Sequence, residues 1–172
     1  MLKLLGSILI IGASAALGLA MRQQAVIRIR VLSEWIDCLN LLILEVNGHG
    51  ATLHETFLII SKSRNSLAAP FFSDMAKQIS GMPSYDFRVL WKKTLREHAE
   101  KWGIKSDEQN ILNSISDYLG QYDGTAQTNS MRTAMLRLQE IRDLASDELR
   151  SKNSIYRTCG AAGGILLVLV LI

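Results

Sequence analysis

The chain has 172 residues, room for one domain of ordinary size beside two short membrane segments. Of its 19 Lys and Arg only Lys3 and Arg157 lie outside residues 22–152, where all 16 Asp and Glu also fall, so the net charge of +3 hides a nearly neutral middle. Interspersed charge, few aromatics and no basic block exclude a nucleic-acid surface, and Cys38 and Cys159 are spaced for neither a metal site nor a disulfide framework. Free thiols fit a reducing compartment.

The chain opens on an apolar run, Leu4 to Met21. As a helix it is about 27 Å long, close to one hydrocarbon thickness. Ala13-Ser14-Ala15 resembles a signal-peptidase site, but a single Lys precedes the run and apolar residues continue through Leu17 and Leu19. Residues 1–21 therefore read as an uncleaved transmembrane helix. A cleaved, exported protein held by its C-terminal segment is the competing reading.

The middle, residues 22–153, reads as six helices. The first runs from about Val26 to Val46, with Leu32, Trp35, Ile36, Leu39, Leu42, Ile43 and Val46 on one stripe. It stops at Asn47-Gly48-His49-Gly50. Thr52 and Glu55 form a capping box for a short second helix carrying Leu53, Phe57, Leu58 and Ile60. A third covers about Leu67 to Ser80, with Gly81 after it. A fourth spans about Tyr85 to Trp102, with Val89, Leu90, Leu95 and Trp102 apolar and Gly103 after it. Ser106 and Gln109 suggest a capping box for a fifth, carrying Ile111, Leu112, Ile115, Tyr118 and Leu119. The sixth runs from about Ala126 to Asn153, with Met131, Met135, Leu138, Ile141, Leu144, Ala145 and Leu149 on its core face. Short connections imply an antiparallel all-α bundle.

A second apolar run, Gly160 to Ile172, ends the sequence, and residues 154–172 read as a C-terminal transmembrane helix. From Thr158 the segment is about 22 Å long, a short span that Tyr156 and Arg157 would complete at the interface. Arg22, Arg28 and Arg30 follow the first run; Arg150, Lys152 and Arg157 precede the second. Cations stay on the cytoplasmic side, so the chain reads as a two-pass protein of the cell membrane with its bundle in the cytosol. The first and last bundle helices then continue into the membrane side by side. Gly12, Ala16 and Ala20 in one segment and Gly160 and Gly164 in the other have the spacing that lets membrane helices approach closely, although Gly and Ala are also common in such helices generally.

Catalytic chemistry is thin. His54-Glu55 opens like a zinc-protease motif, but Leu58 replaces the second histidine. His98 lies between Glu97 and Glu100 on a charged helix face, where solvation is the ordinary state. Asp107 and Glu108 are paired carboxylates at a helix start, where they complement its positive end. Gly48-His-Gly50 lacks the strand and lysine of a nucleotide loop, and no serine sits in a nucleophile elbow. The sequence thus indicates no catalytic, cofactor or metal site and no enzyme. What remains is surface: Arg88, Lys92, Lys93, Arg96, Glu97, Glu100 and Lys101 of the fourth helix, in which Lys92, Lys93 and Arg96 are candidates for docking a cytosolic partner.

Several short motifs, in order and over nearly the whole length, resemble the stage III sporulation protein AB family of endospore-forming bacteria. They are Met1 to Gly6; Leu41 to Glu45 with Gly48, His49 and Leu53; Trp91 with Leu95; Leu119, Gly120 and Asp123 with Gln127; and the glycine-then-aliphatic ending from Gly160. Ala51-Thr52 stands where the family often has Thr-Pro, which puts the rigidity of that turn in doubt. The resemblance implies a fold like the cytosolic domain of the type II secretion F protein. It also implies a non-enzymatic platform or adaptor in a secretion-like channel between mother cell and forespore. Its expected partners are a secretion-type ATPase resembling stage III sporulation protein AA and other membrane subunits of the same complex; a homo-oligomer is compatible with the sequence, which does not itself give the oligomeric state. Leu119, Gly120 and Asp123 become candidates for a functionally constrained turn, against a structural role for Gly120 and Asp123 in the turn itself. A platform component of a type II secretion or type IV pilus system, and a membrane-tethered helical enzyme, are the alternatives.

Overall fold

The computed structural model describes the backbone of residues 2–48, 52–63, 66–81, 86–119 and 124–171. It describes the side chains of residues 16, 18–45, 52–63, 66–81, 86–119 and 124–151. The described chain forms six helices and no strand: α1 (Leu2–Gly48), α2 (Leu53–Ser61), α3 (Ala69–Gly81), α4 (Phe87–Trp102), α5 (Ser106–Tyr118) and α6 (Gly124–Leu171). Each helix from α2 to α6 packs on the one before it, and α6 returns to α1 in the most extensive contact of the molecule. Met21 and Ala25, midway along α1, share a groove with Leu149 of α6, and Arg28, further along α1, shares one with Ile141 and Leu144, earlier in α6. The two longest helices therefore lie antiparallel, as the sequence predicts.

The core forms because α1 turns a continuous apolar stripe inward. Val31, Leu32, Trp35, Leu39 and Leu42 are buried along it. Trp35 sits at the centre, with ring centroids 5.0 Å from Phe71, 5.1 Å from Phe72, 5.9 Å from Trp91 and 6.1 Å from Trp102. Tilted and edge-on aromatic pairs at these separations add to simple area burial. Two of the tryptophans are also tied polar end first: Trp91 donates to the Leu112 carbonyl at 3.0 Å and Trp102 to the Leu67 carbonyl at 3.1 Å. These bonds fix α4 against α5 and against the entry of α3.

Helix ends are set by specific groups. The Thr52–Glu55 capping box is present: Thr52 Oγ1 accepts from the Glu55 N–H at 3.3 Å and Glu55 accepts from the Thr52 N–H at 2.9 Å. α4 starts two residues later than predicted, because Asp86 is its N-cap and accepts from the Arg88 N–H at 2.9 Å. It ends at Gly103, whose φ of 65° is left-handed. The capping box expected from Ser106 and Gln109 is displaced by one residue. Ser106 is already helical, and Glu108 accepts from the Lys105 N–H at 2.5 Å while Gln109 Nε2 donates to the Ile104 carbonyl.

Leu144, assigned to the core face of the sixth helix, is exposed, as are the apolar Leu58, Val89 and Tyr118. Phase explains the clearest of them. On α6 the buried residues Met131, Ala134, Leu138 and Ala145 keep a three-, four- and seven-residue step, and Leu144 lies about 100° away from Ala145. Val89 stands in the same relation to Leu90.

Among the described residues no helix is long and apolar enough to cross a membrane. The side chains of both apolar runs lie almost wholly outside the described set, so the two predicted spans do too.

Candidate functional site

α4 presents Lys92, Lys93, Arg96, Glu97, Glu100 and Lys101 outward, because its inner face is occupied by Leu90, Trp91, Thr94, Leu95 and Ala99. Lys92 Nζ lies 3.9 Å from Asp117 Oδ1 of α5, and Arg88 Nε 3.6 Å from Asp86 Oδ1. Lys93 and Arg96 make no ion pair with any described residue, although Glu97 and Glu100 stand one turn further along. The face is thus a set of solvated cations flanked by acids, geometrically open to a partner.

The remaining predicted site residues do not join it. Leu119 is 2% exposed and packs into the core at the C-cap of α5, so its side chain is unavailable to a partner. Gly120, Asp123 and His49 lie outside the described residues, and Gly12, Cys159, Gly160 and Gly164 are described in backbone only. Ala16 and Ala20 are exposed on α1. It is Gly18, between them, that lines the groove shared with α6.

Both described histidines are structural. His54 Nδ1 donates to the Ala76 carbonyl at 3.1 Å, joining α2 to α3. His98, expected to be solvated, is mostly buried. Its ring stacks on Trp102 at 5.3 Å and its Nε2 lies 3.1 Å from Asp74 Oδ2 of α3. It turns inward because position 98 lies between the apolar row of α4 and the α3 surface.

Two carboxylates hold the bundle together in ways that composition does not announce. Glu108, 1% exposed, is ion-paired with Arg28 of α1, whose Nε donates to its Oε1 at 2.9 Å. Its other oxygen takes the Lys105 N–H, so one buried acid satisfies a helix start and ties α5 to α1. Of the pair predicted to sit together on a helix start, only Asp107 stays exposed. Glu34 of α1 accepts from Ser66 Oγ at 3.0 Å, the Leu67 N–H at 2.5 Å and the Ala68 N–H at 3.1 Å, and from Arg30 Nε at 2.9 Å. It thereby holds the segment that leads into α3 from another helix. Isolated in sequence, each is one more charge; the only hint is an acid placed between apolar positions of an otherwise inward stripe.

Several grooves interrupt the described surface. One, of about 290 Å³, is lined by Glu34, Asp37, Cys38, Leu41, Ile59 and Ile60. Burial, then the neighbouring charges of Glu34 and Asp37, push the Cys38 thiol up to about 12, so the nucleophilic thiolate is suppressed. Another, of about 220 Å³, lies between α1, α6 and the start of α5. Among the described residues no three His, Cys, Asp or Glu side chains gather in a way that would hold a metal ion.

The fold and its surfaces define a class: an all-helical bundle closed by its own first and last helices, whose polar groups chiefly bind one helix to another. The chain belongs to the stage III sporulation protein AB family, whose model matches residues 3–172. Its role accordingly lies in sporulation. It is 25% identical to stage III sporulation protein AB of Bacillus subtilis (strain 168), over 99% of each chain. A solved structure of a stage III sporulation protein AB has the same fold, with a TM-score of 0.65 at 22% identity, covering 72% of this chain and 97% of that one.

Proposed function

We propose that the chain is a non-catalytic platform or adaptor subunit of a secretion-like channel complex between mother cell and forespore. It is anchored in the cell membrane by residues 1–21 and 154–172, with its bundle in the mother-cell cytosol. The observation that carries the reading is the antiparallel packing of α1 and α6. The two helices that lead to the apolar runs leave the bundle at the same end, so both runs enter one membrane plane. Family membership supplies the setting in sporulation. The described histidines, buried acids and Cys38 are engaged in packing and helix capping, which supports binding rather than catalysis.

The partner on the cytosolic side is a secretion-type ATPase resembling stage III sporulation protein AA, docked on the Lys92, Lys93 and Arg96 face of α4. Because α1 and α6 run continuously from bundle toward both apolar ends, a tilt of the bundle moves both membrane legs together. Other membrane subunits of the complex, and further copies of the chain, pack against those legs.

The test is co-purification of the full-length protein from sporulating cells in mild detergent. Recovery of a secretion-type ATPase is the expected result. Its reproducible absence while membrane partners are retained overturns the platform reading. External protease on intact cells tests orientation, since cleavage within residues 22–152 is incompatible with a cytosolic bundle.

A further inference from the structure

We propose that the groove between α1, α6 and the start of α5 binds the headgroup of an anionic phospholipid from the membrane in which the chain is anchored, an inference that rests on the membrane reading above. Gly103, in the α4–α5 turn, packs directly on α1: a Cβ there would stand 2.9 Å from Gln24 Cγ. Gln24 lies three residues beyond Met21, the end of the first apolar run, or about 5 Å at helical rise. The α4–α5 turn is therefore held at the membrane-proximal end of the bundle.

The groove lies beside that turn. Met21, Ala25 and Leu149 give it an apolar wall, and Arg22 and Lys105 are its exposed cations. Neither cation makes an ion pair with any described residue. Arg28, deeper in, is committed to Glu108, and Glu148 on the α6 wall has an interaction of its own. Met21, on the apolar wall, is itself largely exposed. Apolar surface at the level of the acyl chains with two unpaired cations just above it matches a lipid phosphate and its first methylenes. Basic pockets between helices at the cytoplasmic membrane edge recognise anionic headgroups in this way.

The experiment uses the full-length protein in detergent micelles, with phosphatidylglycerol or phosphatidylcholine added and retained lipid counted by native mass spectrometry. Phosphatidylglycerol is expected to be retained about ten-fold better than phosphatidylcholine, and Arg22→Gln with Lys105→Gln to abolish the preference. Arg22→Lys with Lys105→Arg should keep it, and circular dichroism should show both variants folded. Equal retention of the two lipids, an unchanged preference in the Gln variant, or equal binding of soluble glycerol 3-phosphate overturns the lipid site. Alkaline carbonate extraction of cell membranes separates the two levels. A chain that resists extraction yet shows no lipid preference leaves the membrane reading standing and removes this one; a chain that is extracted removes both.

Discussion

At the residue scale, the buried Arg28–Glu108 pair sets how α5 meets α1. Removing one partner of a buried pair strands the other's charge, whereas replacing both with apolar residues of similar volume is far milder. Arg28→Ala should therefore lower the unfolding free energy by about 3–5 kcal/mol in urea melts, and Arg28→Met with Glu108→Leu should recover most of that loss. Cys38 supports a second prediction. With its thiol pushed up to about 12 by burial and by Glu34 and Asp37, the thiolate fraction at pH 8 is about one in ten thousand. Raising the folded value keeps the thiol neutral below it, so reactivity should stay low from pH 7 to 9 and rise only toward pH 12. Iodoacetamide labelling followed by peptide mass spectrometry should find Cys38 unmodified in the native protein at pH 8 and fully modified in urea.

At the element scale, local sequence carries helix existence well and helix starts unevenly. The Thr52–Glu55 box is legible because both partners lie within one turn of the chain. The entry to α3 is not, because the acid that holds it, Glu34, arrives from 33 residues upstream of Leu67 and no local pattern encodes it. The same holds for α5, where the reciprocal acid is Glu108 and its selection over Gln109 depends on Arg28 of another helix. Apolar spacing identifies the inward stripe of α1 but puts Leu144 on the core face of α6, since a residue 100° from the stripe is apolar without being covered. The candidate surface on α4 was readable as a charge pattern; the burial of Leu119 and His98 was not, because it depends on which helices lie opposite. Glu34→Ala removes the acceptor for Ser66 Oγ and two backbone donors, and should cost about 1–2 kcal/mol. Hydrogen exchange at Leu67 and Ala68 should accelerate in that variant more than exchange in α4 or α5. Gly103→Ala should cost about 1–2 kcal/mol as well, because φ is 65° there and a Cβ would press on Gln24.

At the scale of the whole molecule, the bundle behaves as one body because α1 and α6 close it and a single aromatic cluster about Trp35 joins α1, α3 and α4. In the proposed platform, a force applied to the outer face of α4 would pass through Trp35 and Trp91 into α1, and along α1 toward its N-terminal run. Such transmission requires that the α4 face be a binding surface and not part of the core, and its exposed, largely unpaired cations meet that condition. Reversing Lys92, Lys93 and Arg96 to Glu together should leave helicity by circular dichroism unchanged, because none of the three contributes to a buried contact. Lys92 loses only a 3.9 Å surface pair with Asp117, of a kind contributing about 0–1 kcal/mol. Capture of the proposed ATPase partner should fall by about ten-fold or more at low salt, and the difference between variant and parent should shrink as ionic strength rises, since rim charges act mainly on association. Capture equal to that of the parent at low salt would move the docking face elsewhere on the bundle.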